Sequence, residues 1–105
     1  MKDNPTVSQQ MVALEMLREQ ALAHPDLPAP YVTIGAYRES VTVNVQCSTP
    51  AAFEAWRVAF GLASDMAELR NAGGDDYLRL DAEVGSVAVC LTGYGLDVAV
   101  EAVAA

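Results

Sequence analysis

The run Val41-Thr42-Val43-Asn44-Val45-Gln46-Cys47-Ser48-Thr49-Pro50-Ala51-Ala52-Phe53-Glu54-Ala55-Trp56-Arg57 contains the change of period on which the fold turns. Val41, Val43, Val45 and Cys47 alternate with Thr42, Asn44 and Gln46, the period-two pattern of a strand with one apolar face. Thr49-Pro50 then supplies an N-cap and a proline at the first helical position. The spacing predicts a helix to about Phe60, closed by Gly61 near its C-cap. Ala52, Phe53, Trp56, Ala59 and Phe60 form its core face, with Glu54 and Arg57 one turn apart on the other side.

Upstream, Val32, Ile34 and Ala36 alternate with Thr33, Gly35 and Tyr37. A turn at Arg38-Glu39 makes this strand and the next an antiparallel hairpin. Before it, Val7, Met11, Leu14, Leu17 and Ala21 recur at helical spacing behind a cap at Thr6 or Ser8. Val12, Met16 and Leu22 widen that stripe. His24 precedes Pro25, and Pro28 and Pro30 follow, which ends the helix. Downstream, the polar stretch from Ser64 to Asp75 admits one helical turn at residues 65–70 and a loop at Asn71-Ala72-Gly73-Gly74. Leu78, Leu80 and Ala82 then alternate with Tyr77, Arg79 and Asp81. Gly85-Ser86 turns the chain into Val87–Thr92, apolar enough for a central strand. After Gly95 both helical and strand spacings fit. The order α-ββ-α-ββ predicts a single α+β domain over residues 1–105. Its simplest packing is a four-stranded antiparallel sheet with two helices on one face.

Composition narrows the function. The chain has 105 residues, 52% of them apolar, and a formal net charge of −8. That is one ordinary domain, too apolar for disorder. Residues 61–105 hold eight acids against two arginines. A single lysine, Lys2, offers no cluster for phosphates, so direct binding to nucleic acid or to an anionic membrane is not expected. The surplus acid serves solubility or meets a basic partner. No stretch approaches the ~20 apolar residues of a membrane span. Met1 to Pro5 lacks the apolar run of a signal peptide. Cys47 and Cys90 lie between apolar neighbours and read as free, buried thiols. Together these features predict a cytoplasmic protein.

Groups able to do chemistry are few and scattered. His24, the only histidine, falls at a helix C-terminus. Cys47 lies two residues before a helix N-cap, where a thiol can be activated, yet the alternation turns it inward. Asp75-Asp76 after Gly73-Gly74 lacks the ligand spacing of a calcium loop. Two cysteines and one histidine do not reach the four ligands of a zinc site. Gly93-Tyr94-Gly95 lacks the third glycine of a dinucleotide motif. No catalytic residue, cofactor site or metal site is assigned, and a non-enzyme is expected.

Tyr31, Tyr37, Tyr77 and Arg79 fall on the sheet face opposite the core. Val12 and Met16 point about a quarter turn from the stripe needed to pack the first helix on the sheet. These six are the candidate interaction residues, and the helix pair predicts a homodimer.

Three segments carry a resemblance: Ala23-His24-Pro25-Asp26-Leu27-Pro28, Ala52-Phe53-Glu54-Ala55-Trp56-Arg57 running to Gly61-Leu62, and Leu91-Thr92-Gly93-Tyr94-Gly95. In order and spacing, over roughly residues 20–95, they resemble small uncharacterised proteins of high-GC actinobacteria, including phage and mobile-element members. These motifs are structural, so the resemblance implies a context and no activity.

Three readings stay open. One is a dimeric protein-interaction or regulatory module whose protein partner is unknown. Another is an acidic mobile-element or phage accessory protein that blocks a basic nucleic-acid-binding surface of a partner. The third is a small-ligand-binding protein with a pocket between the second helix and the sheet, near Trp56, Tyr94 and Cys47.

Overall fold

The computed structural model describes residues 5–37 and 40–96, apart from the side chains at 36 and 37. The expected turn at Arg38-Glu39 and the tail from residue 97 lie outside the described residues. The elements run α1 (Val7–Ala23), β1 (Tyr31–Tyr37), β2 (Ser40–Cys47), α2 (Pro50–Phe60), a 3-10 turn (Ser64–Met66), β3 (Glu68–Ala72), β4 (Asp75–Val84) and β5 (Val87–Gly93).

The class is α+β, as expected, but the sheet is not four antiparallel strands. It has five strands in the order β1-β2-β5-β4-β3. The two hairpins are joined by a parallel pair, with Val43 beside Val89 and Val45 beside Leu91. Parallel neighbours need a long connection, and residues 48–86 provide it. The added strand, β3, pairs with β4 across the Gly73-Gly74 turn, Leu69 opposite Leu78 and Arg70 opposite Tyr77. Both turn glycines have positive φ, 62° and 90°, the geometry of a tight hairpin turn. Residues 64–66 form the helical turn, shifted from the expected 65–70.

Local chemistry sets the helix ends. Thr6 caps α1 in a capping box with Gln9, each satisfying a free backbone N–H of the other. Thr49 Oγ1 accepts from the Ala52 N–H at 3.1 Å. At the other end of α2, the Gly61 N–H reaches Val58 O at 3.0 Å and the Leu62 N–H reaches Arg57 O at 3.1 Å. Gly61 takes the left-handed conformation, φ 72°, that this C-terminal motif requires. Arg57 is bonded to Glu54, which holds that carboxyl below its usual range.

The core lies between the helices and one face of the sheet. Val43, Val45, Cys47, Phe53, Leu80, Val89 and Leu91 are essentially inaccessible. Phe53 and Trp56 anchor α2 as expected, and Trp56 Nε1 donates to Pro28 O at 2.8 Å, tying the proline linker to the helix. For α1 the expected face is only partly right, with Leu17 packed against the core as expected. Ala13 and Met16 are its buried residues, while Val7, Met11 and Leu14 are exposed. Small Ala13 allows close approach to the sheet, and flexible Met16 fills the remaining gap. Met16 therefore belongs to the core, not to a contact surface.

Candidate interaction surface

The pleat of the sheet builds the open face. Register aligns Tyr31, Gln46, Thr92, Arg79 and Glu68 in one row across all five strands. The next row is Thr33, Asn44, Cys90 and Asp81. Side chains one strand apart in such rows are neighbours, so the face is polar at its centre and aromatic at one end.

At that end Tyr77 stacks on Tyr94, with centroids 5.3 Å apart and planes at 19°. Tyr31 is 68% exposed. Tyr31 and Tyr94, with Ala29, Gln46, Cys47 and Ser48, line a hollow of about 260 Å³ at the carboxyl ends of β2 and β5. Arg79 donates to Asp81 at 2.9 and 3.2 Å, and Arg70 to Glu68 at 2.9 and 2.6 Å. The Arg79 guanidinium holds the Asp81 carboxyl below its usual range.

The sequence-predicted residues thus divide. Tyr31, Tyr77 and Arg79 share the open face. The Tyr37 side chain lies outside the described residues. Val12 is exposed on α1, where it lines a cleft with Glu15, Glu19, Gln20 and the β4–β5 turn. Tyr94, expected beside a ligand pocket, instead joins the open face, because the pairing of Gly93 with Leu78 brings it onto Tyr77.

Among the described residues, reactive groups do not converge. His24 is the C-cap of α1 and borders a shallow hollow with Pro25, Asp26 and Ala55. Cys47 is buried, and burial pushes its thiol up to about 11. Burial and the neighbouring Asp81 also raise Cys90. Neither is a free thiolate at neutral pH. Among the described residues no group of three or more His, Cys, Asp or Glu side chains is placed to hold a metal ion. None of the described helices is long and apolar enough to cross a membrane.

No protein-family model, curated protein or solved structure matches this chain.

Proposed function

We propose that this chain is a non-enzymatic interaction module that binds a protein partner through the open face of its sheet. One observation carries the reading: Tyr77 stacks on Tyr94, and with Arg79 and Tyr31 they span one end of the sheet face opposite the helix-packed core. Tyrosine and arginine are the side chains most often found as interface anchors. The core does not need them. The paired carboxylates of Glu68 and Asp81 keep the arginines extended along their strands.

The basic-partner reading draws less support. Both arginines of the acidic half already neutralise acids of this face, so Asp75 and Glu83 carry its excess charge. A basic nucleic-acid-binding partner remains a narrower form of the same proposal, distinguished by binding that weakens steeply with salt. The small-ligand reading loses its expected location. Phe53 and Trp56 fill the space between α2 and the sheet, and the hollow that Tyr94 and Cys47 do line lies at the ends of β2 and β5, away from Trp56.

Affinity capture from the native host tests the proposal, with the wild-type chain compared against a Tyr31→Ser/Arg79→Glu variant. A protein retained by the wild type and lost from the folded variant supports it. Recovery of the same proteins by both chains rejects the open face as the docking surface.

A further inference from the structure

A second surface differs in kind from the open face. β1 is the edge of the sheet, and among the described residues no strand pairs with its outer side. Long edge strands are usually guarded by charge or proline. The seven residues Tyr31-Val32-Thr33-Ile34-Gly35-Ala36-Tyr37 contain neither.

The flank of α1 beside this edge is also unguarded. Gln10 Nε2 donates to Ile34 O at 3.4 Å, which fixes that flank of the helix over the middle of β1. Val7 and Leu14, three residues before and four after Gln10, share its side of the helix. Met11, a further quarter turn round, lies opposite the buried Ala13 and Met16. They are 74%, 46% and 46% exposed. Charge selects the occupant. Neither Pro5–Leu14 nor Leu27–Tyr37 contains a charged residue, although the chain carries −8. A basic partner finds no carboxylate here to pair with. A like copy, repelled elsewhere by its own acidity, meets no carboxylate within these stretches, and the nearest charge on that side of α1 is Arg18, one turn beyond Leu14.

We propose that a second copy of this chain pairs with β1 edge to edge about a two-fold axis, joining the two sheets and bringing the exposed flanks of α1 together. Centred on Ile34, antiparallel pairing sets Val32 opposite the partner's Ala36 and Thr33 opposite the partner's Gly35. Core-facing residues then meet core-facing residues, as an isologous contact demands. The strand edge alone falls short of the ~800 Å² per partner of a standard interface. The apolar flank extends it toward that size. Both open faces then lie on one side of a continuous ten-stranded sheet.

Light scattering should give twice the 11.1 kDa mass of the chain. A Met11→Glu/Leu14→Glu variant changes only exposed side chains and should raise the dimer dissociation constant by roughly 100-fold or more, because it sets like charges face to face. Pairing is read separately by mixing Thr33→Cys with Gly35→Cys chains. A Cβ at Gly35 meets nothing closer than Thr42 O at 3.9 Å, and directly opposed strand residues lie within disulfide reach. The mixture should form a disulfide-linked dimer far more readily than either variant alone. A monomer mass at about 1 mM, the weak end of ordinary affinities, overturns the proposal. So does a dimer that survives both glutamates or fails to cross-link in the mixture. Thr33 and Gly35 also border the open face, so their variants are read for cross-linking alone; the mass and the Met11/Leu14 variant leave that face unchanged, and its own test is loss of a captured protein.

Discussion

Gly93 sits where α2 presses closest to the sheet. A Cβ there would come within 2.7 Å of Phe53 Cβ and 3.0 Å of Cγ. Phe53 is itself buried and cannot swing aside. Gly93→Ala should therefore cost about 1–3 kcal/mol, the range for overpacking a filled core, read as a lower urea midpoint with an unchanged slope. Gly35→Ala is the matched control. The open space at that position predicts a change within about 0.5 kcal/mol. At Cys47 the side chain is buried without a charged partner, and its folded pKa rises from 9.0 to about 11. A raised folded pKa means that the thiol's contribution is fully present below the unfolded pKa and is lost as pH rises through the folded one. Stability should fall between pH 9 and 11 by up to about 1.4 kcal/mol per pH unit from this thiol alone. Cys47→Ala lowers the stability at neutral pH and removes that part of the alkaline slope. Denaturant titrations at pH 8, 9.5 and 11 read both effects.

Among the elements, those with local punctuation were legible in the sequence. Thr49-Pro50 and Gly61 mark both ends of α2, and its apolar residues fall on one side, so its span and its core face could both be read. For α1, Thr6 and the prolines fix the ends but the face stays ambiguous. Val7, Met11, Val12, Leu14, Met16, Leu17 and Leu22 surround the helix, and a helix apolar on most sides has no unique buried stripe. Packing chose Ala13 and Met16, with Leu17 beside them, leaving Val7 and Leu14 toward the β1 edge and Val12 toward the β4–β5 turn. β3 left no readable signal because every residue in it is exposed. Alternation reports burial on one face, and a strand that projects past the helices has no buried face. The parallel joint was hidden for another reason. Period-two patterning shows which residues share a face but not which strand lies beside which. The same limit applies to the open face: Tyr31, Tyr77 and Arg79 could be assigned to it from alternation. Their gathering at one end depends on the β2–β5 register.

Across the whole molecule, the strand order sets up a gradient of stability. β5 is paired on both sides, with β2 and with β4, and contributes Val87, Val89 and Leu91 to the core. β2 adds Val43, Val45 and Cys47 under the helices. β3 hangs from one side of β4 with no buried residue of its own, and Leu69 is 65% exposed. Opening β3 breaks only its pairing with β4. Exposing β5 separates both hairpins and strips both helices from the sheet, which amounts to global unfolding. Native-state hydrogen exchange should therefore show the amides of β5 and the middle of β2 opening only at the global free energy, on the order of 5–10 kcal/mol for a domain of this size. The β3 amides should exchange through local openings several kcal/mol cheaper and insensitive to low denaturant. β1 is the informative case. As a free edge it should exchange between these extremes, and in a two-fold dimer joined through it the outward amides should slow as concentration rises. Uniform protection across all five strands would contradict the gradient, because it would require β3 to be held by contacts that its exposed side chains do not make.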